Sequence, residues 1–461
     1  MTELLERAAA TALDTLAERL DGELVLPGSE GWDEARTAWN LAVNQEPVAV
    51  VLAESARDVA ETVKAAGAAG LRVAPQGTGH AASSLGDLSG TILLRTIRMR
   101  GVEIDPHDRR ARIEAGVIWQ EVTDAAAEHG LAALAGSSHD VGVFGYSLGG
   151  GLSWLGRKHG LAANAILAAE IVDAEGRCRR IDNENDPELF WAIRGGGGSF
   201  AVVTAIEMRL FPITEVYAGV VFFPIERADE VLGAWLEWSK DTPDELTSCG
   251  RMMRFPDVPF IPEPLRGNAF ALVEAVYTGD AAEGEALVAP LRELGPAMDT
   301  FRVMPARELS SLHMDPPGPV PGVGDGRLLG PIDRDAISAL VASAGAESGS
   351  SLLSVELRQM GGALDRSAPG DGAATFAGTG AALFAVGMAM TPEMYAASER
   401  DAHRVIEALS PWDSGRDYMN FRESRSNGER LFSGDRFERL LAVKQRVDPD
   451  DRFRSNHPVE R

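Results

Sequence analysis

The residues best able to do chemistry fall in three places. Gln76, Gly77, Thr78, Gly79 and His80 put an imidazole directly after a glycine turn, behind a short apolar run from Leu71 to Pro75. Glycines at the end of a strand let backbone N–H groups converge on phosphate oxygens. A neutral imidazole nitrogen beside them is a nucleophile at pH 7. Taken alone, the pattern describes an ordinary turn with a surface histidine equally well. Near the C-terminus, Tyr418 precedes Met419 and Asn420. Such a phenol is either a base or a core tyrosine with a satisfied hydroxyl. In the third place, Leu353, Val355 and Leu357 alternate with Ser354, Glu356 and Arg358. On a strand the polar three share one face, which makes Glu356 a second candidate base and Arg358, with the adjoining Gln359, candidate substrate ligands. A solvated Glu/Arg face accounts for that alternation as well.

The elements that must position these residues are marked by periodicity and by glycine. Val59, Val63 and Ala66 recur at helical spacing and Gly67 with Gly70 ends the helix, so His80 follows a strand, helix, strand and turn. Short strands with a turn at Asp105–Pro106 then lead to Gly116 and a helix holding Trp119 and Val122. A second glycine region runs from Gly136 through Gly142, Gly145, Gly149, Gly150 and Gly151, leaving the backbone free to approach something large and flat. A third, Arg194 to Thr204, follows a helix signalled by Asp186 as N-cap and Pro187 at the first position. Beyond Pro212 helical segments (226–240, 281–294) alternate with strand-like runs (270–276, 352–360, 383–390). Two Pro/Gly-rich loops, 315–326 and 362–372, interrupt them and are expected to cap a pocket.

At 461 residues, two or three domains are expected. The net charge of −25 argues against nucleic acid or an anionic membrane as partner. The first twenty residues read as an acidic amphipathic helix rather than a signal peptide, and Cys178 and Cys249 are the only cysteines, so a cytoplasmic protein with free thiols is expected. His107, His129, His159, His313, His403 and His457 have no metal-ligand spacing, and no metal is expected. No P-loop, GxSxG or Rossmann fingerprint is present.

In order along the chain stand QGTGH at Gln76, GVFGYSLGGGLSWLGRKHGLAAN from Gly142, DPELFWAIRGGGGSFAVVT from Asp186, LRQMGGAL from Leu357, YMN at Tyr418 and KQRVDPDDRFRSN from Lys444. This ordered set resembles the berberine-bridge-enzyme-like oxidases of the vanillyl-alcohol-oxidase, PCMH-type FAD-binding superfamily. The resemblance implies an α+β fold: a two-subdomain PCMH-type FAD-binding domain (1–212) and a substrate domain of antiparallel sheet covered by helices (213–414). A C-terminal segment, 415–461, is expected to return to the first domain.

The resemblance further implies FAD bound covalently through its 8α-methyl carbon to His80. Many relatives make a second bond through a cysteine at the position of Ser138, and a hydroxyl is far less nucleophilic than a thiolate, so a monocovalent cofactor is expected. The implied cofactor-binding set is Gln76, Gly77, Thr78, Gly79, His80, Gly136, Ser137, Ser138, Val141, Gly142, Gly145, Tyr146, Gly149, Val202, Val203, Tyr418 and Asn420. Tyr418, Glu356 and Tyr146 are the catalytic candidates; Glu356, Arg358 and Gln359 are the substrate-binding candidates. Gln76 stands where relatives often have Arg, Asn164 where they have Asp, Ser199 and Ala201 where they have Asn and Gly, and Gly378–Thr379 where a His-Arg pair is frequent. The implied activity is oxidation of a small-molecule substrate by hydride transfer to flavin N5, with O2 as acceptor, in secondary metabolism. A dehydrogenase, an N5-oxygenating enzyme and a ligand-sequestering flavoprotein are the alternatives, and oligomeric state is left open.

Overall fold

The computed structural model describes residues 11–259 and 261–460. The first ten positions of the expected N-terminal helix lie outside that range; 11–17 are helical.

Three sheets organise the chain. The first contains β1 (Glu23–Val25), β2 (Ala49–Leu52), β3 (Arg72–Gln76) and β4 (Thr91–Arg95) in the order β1-β2-β4-β3. Both β2 and β3 pair with β4 in parallel, so each lies buried under a crossover helix or its neighbours. The helix Ala56–Ala69 begins where Ser55 accepts from the Asp58 amide and stops at Gly70, whose φ of 66° is the left-handed closure expected of glycine. Its Val59, Val63 and Ala66 are fully buried against β3 and β4.

The second sheet is antiparallel, β5 (Val102–Asp105), β6 (Arg110–Glu114), β7 (Ile166–Val172), β8 (Cys178–Ile181) and β9 (Val202–Arg209), in the order β5-β6-β9-β7-β8. The helix Pro187–Gly196 starts as expected, with Asp186 accepting from the Leu189 amide and proline in the first turn.

The third sheet has nine antiparallel strands: β10 (Glu215–Pro224), β11 (Leu246–Arg254), β12 (Ala269–Tyr277), β13 (Met298–Asp299), β14 (Arg302–Pro305), β15 (Gly322–Leu329), β16 (Ser354–Gln359), β17 (Ala381–Met388) and β18 (Asp413–Arg416). Helices Ala228–Lys240, Arg334–Ala344 and Pro392–Ala408 cover one face, where Trp235, Leu340 and Val405 pack on Val355, Leu357 and Leu383. The opposite face turns toward the first two sheets. Because β18 ends at Arg416, the last strand of this sheet straddles the boundary expected at 414/415. The chain then crosses back: Val73 donates to the Arg452 carbonyl and Arg454 donates to the Val73 carbonyl. No helix among the described residues is long and apolar enough to cross a membrane.

The two expected capping loops part ways. Gly322 to Gly326 is strand rather than loop, while Asp315, Pro316 and Val320 border a cavity. The second loop instead docks on the glycine-rich half: the Gly372 amide donates to Asn164 Oδ1 at 2.9 Å and the Ala373 amide to the Arg194 carbonyl at 2.7 Å.

Candidate active site

A cavity of about 440 Å³ lies between the glycine turns and the exposed face of the third sheet. That is within the usual range for small-molecule and cofactor sites, roughly 300–1,000 Å³. The turn after β3 forms one end. Gly79 has φ 89°, and a side chain there would strike Ala38, so the tight turn requires glycine. The amides of Gly77, Thr78, Gly79, His80 and Ala81 donate to no protein acceptor among the described residues, and neither do those of Ser137, Ser138, Val141 and Gly142. These residues are mostly half-buried, and two clusters of unpaired amides on one cavity form a concave donor surface for an anion.

His80 is held from three sides. Its ring stacks on Trp39 with centroids 4.0 Å apart, its Nδ1 lies 2.7 Å from Thr78 Oγ1, and its Nε2 faces Asp140 Oδ1 at 3.5 Å. Asp140 also accepts from Trp39 Nε1 at 2.5 Å and from Ser138 Oγ at 3.2 Å. Burial alone would raise this carboxyl, but the bonds from His80, Trp39 and Ser138 outweigh it and hold Asp140 below its ordinary value.

Two tyrosines stand farther along the cavity. Tyr146 slots between Gly136 and Gly151: an added Cβ on either would come within 2.8 and 2.6 Å of its ring. Its hydroxyl is buried without a hydrogen-bond partner, and burial pushes its pKa well up. Tyr418 is the opposite case. Its oxygen accepts from the amides of Gly151 at 3.2 Å and Leu152 at 3.1 Å and from Asn420 Nδ2 at 2.9 Å. Burial raises the phenol to about 12, against the pull of these donors and of Arg358. Gly149 makes room for this arrangement, since a Cβ there would collide with Asn420 Oδ1.

The sheet side of the cavity is a closed ion network. Glu356 accepts from Arg358 Nε at 2.7 Å through one oxygen and meets His313 Nε2 at 2.6 Å through the other. His313 Nδ1 meets Glu274 at 2.7 Å, and Arg251 donates to Glu274, Ser354 and the His313 carbonyl. Burial and Arg251 push the imidazole down, yet the two carboxylates prevail and raise it to about 9. Burial would raise Glu356, but Arg358 and His313 hold it far below the usual carboxylate range. Arg358 reaches across to Ser137 Oγ at 3.1 Å and lies over the Phe421 ring at 5.1 Å.

Of the residues singled out in the sequence, Gln76 to His80, Gly136 to Ser138, Val141, Gly142, Gly145, Tyr146, Val203, Glu356, Arg358, Tyr418 and Asn420 border the cavity. Gly149, Val202 and Gln359 do not. Val202 is packed in the core beside β3, one residue out of phase with Val203. Gln359 is similarly one position off the polar face of β16: it turns to the helix side, donating to the Ser239 carbonyl and Thr242 Oγ1 and accepting from Ser248. Substrate contact is therefore excluded for Gln359. Gln76 pairs with Gln45 through both amide groups, a neutral substitute for the absent arginine. Trp39, Asp140, Arg251 and His313 were not singled out. Each is a lone residue in sequence, and only the folding together of distant segments reveals its partners.

Comparison with known proteins follows this geometry closely. Residues 47–182 match a family described as FAD binding domain, and residues 417–460 match berberine and berberine-like. The chain thus carries an FAD binding domain and a berberine-like C-terminal segment, and its named relatives are FAD-linked oxidoreductases and oxidases. (R)-6-hydroxynicotine oxidase of Paenarthrobacter nicotinovorans is 37% identical over 194 residues, so the match spans 42% of each chain. The crystal structure of 6-hydroxy-D-nicotine oxidase from Arthrobacter nicotinovorans superposes with a TM-score of 0.82 at 26% identity, covering 94% of this chain and 96% of that one. Glucooligosaccharide oxidase from Acremonium strictum, whose FAD is described as 6-S-cysteinyl and 8α-N1-histidyl, superposes with a TM-score of 0.81 at 21% identity over 98% and 99% of the two chains.

FAD suits this cavity on structural grounds. The unpartnered amides fit its phosphates, the buried Tyr146 hydroxyl has no hydrogen-bond partner among the described residues, and a Cβ on Gly145 would meet no protein atom.

Proposed function

We propose that this chain is an FAD-dependent oxidase that carries its cofactor on His80 and oxidises a small organic molecule: an alcohol, a C–H group next to a heteroatom, or a phenol or polyketide. The observation that carries the reading is the convergence on one cavity of a glycine turn with unpartnered amides, the His80 imidazole, and a phenol whose oxygen accepts three N–H bonds. Bound there, FAD supplies a two-electron acceptor that O2 reoxidises with release of H2O2. The 8α-histidyl attachment of glucooligosaccharide oxidase supports the tether, and Ser138 supports a single bond rather than two.

The chain's own residues divide the remaining work. The amides of Gly77 to Ala81, which have no backbone acceptor among the described residues, would hold the cofactor's phosphate oxygens. Tyr418 is the candidate acceptor of the substrate proton: burial keeps its phenol protonated at rest, and the Gly151, Leu152 and Asn420 donors are the groups that favour a phenolate oxygen there. Glu356 is a poor proton acceptor, because both its oxygens already bind cations; it fixes Arg358, which presents its guanidinium to the substrate. Phe384, Phe421, Met253 and Val386 exclude water around it. Val141 lines the cavity and, being small, would leave room for O2. Free thiols at Cys178 and Cys249 suit a cytoplasmic setting, and the substrate classes suit secondary metabolism. Residues 1–212 with 415–461 form the cofactor half and 213–414 the substrate half in this reading.

The test is anaerobic mixing of the yellow protein with a panel of alcohols, amines and phenols, followed by air. An oxidase bleaches with a substrate and regains colour within seconds, releasing one H2O2 per product. Bleaching that persists in air would instead make it a dehydrogenase.

A further inference from the structure

We propose that Asp140 is the positioning residue that makes His80 competent to bond the cofactor, by holding the Nε2 proton beforehand and accepting it as the bond forms. The inference rests on the His80 attachment proposed above. Its basis is the arrangement around the ring. Asp140 Oδ1 faces Nε2 at 3.5 Å, and that nitrogen has no closer partner. The carboxylate is itself aimed by Trp39 Nε1 and Ser138 Oγ, while the Trp39 ring lies flat on the imidazole, 18° from parallel. A carboxylate beside Nε2 selects the tautomer with the proton there. Nδ1 then carries the lone pair, which meets Thr78 Oγ1 at 2.7 Å and must leave that hydroxyl to reach the cofactor's methyl carbon. Ser138, which cannot form a second tether, has a role here as a donor to Asp140.

The attachment balances as follows. One C–H bond of the 8α-methyl group breaks and the Nδ1 lone pair forms the N–C bond. Alkylation leaves the imidazole cationic, so the Nε2 proton becomes acidic and passes to Asp140 and then to water. Two protons and two electrons are released in all and reduce one O2 to H2O2. The asparagine variant makes a sharp contrast. With its carbonyl kept by Trp39, the amide NH2 faces the imidazole and donates to Nε2. That bond selects the tautomer with hydrogen on Nδ1, which has no lone pair to give.

The experiment incubates the full-length chain, produced flavin-free, with FAD in air at pH 7, and follows flavin fluorescence in acid-precipitated protein. Asp140→Asn is expected to attach about a hundredfold more slowly than wild type, while quenching of free FAD fluorescence shows that it still binds. Asp140→Ala, which removes the carboxylate without adding a donor, should fall between the two. Wild-type rates in either variant overturn the inference, and so does faster attachment in Asn than in Ala, because a packing role predicts that order. His80→Ala should attach nothing. Attachment in that variant, or none in wild type, refutes instead the tether on which the inference stands.

Discussion

The two walls of the cavity are opposites. On the glycine side, the Gly77 to Ala81 amides and the Tyr146 hydroxyl have no hydrogen-bond partner among the described residues. On the sheet side, the charges of Arg251, Glu274, His313, Glu356 and Arg358 are bound to one another. A wall of unmade bonds is unstable unless something fills it, and a wall of completed bonds holds its shape with the cavity empty. In the proposed reading the first serves the cofactor and the second the substrate. Tyr418 sits at the seam, completed by three donors on its oxygen yet open to the cavity.

The contrast can be broken most decisively at His80. His80→Ala should lose all acid-stable flavin while still binding FAD through the amides; colour that stays with the acid pellet would remove His80 as the tether. Next comes the seam. Tyr418→Phe is expected to slow anaerobic flavin reduction by about 10²- to 10⁴-fold, whereas Tyr146→Phe, which removes a hydroxyl bonded to nothing, should change it less than about tenfold. Equal losses would erase the distinction between the two tyrosines.

On the sheet side the expected loss is in stability rather than colour. Glu274→Gln takes one of the two carboxylates from a buried imidazolium and should cost about 3–5 kcal/mol in urea unfolding. The same network has a pH signature. His313 is raised in the folded state to about 9 from an ordinary value of 6.5, so its contribution is complete below about pH 6.5 and is lost as pH rises through 9. Melting temperature should fall between pH 7 and 10 more steeply in wild type than in His313→Gln, and parallel curves would show that the network does not depend on the imidazolium. The smallest effect is expected for Thr78→Val. Its hydroxyl touches only His80 Nδ1 on an accessible ring, so unfolding should change by less than about 1 kcal/mol while FAD attachment remains.

Much of the frame was legible in sequence because its signals are local. Ser55 and Gly70 delimit a helix, Asp186 with Pro187 starts another, and the alternation from Leu353 to Arg358 marks a strand with one polar face. Alternation does not say where that face ends, and Gln359, adjoining it, turned out to serve the helix layer. Strands β10 and β11, buried on both faces, lack the alternation that would have announced them, which is why the substrate half was read only in outline.

By itself the sequence determined the glycine turn ahead of His80, the serine at position 138 and the order of motifs that carries the family resemblance, because each depends on residue type within a few positions. Only the tertiary structure decided what the charged residues do. Asp140 lies 101 residues from Trp39, and Glu274 and His313 are 39 apart. In sequence each reads as a solvated charge, and burial between partners from separate strands and loops turns the same groups into fixed donors and acceptors, since a charge removed from water is retained only where its counter-charge is folded against it.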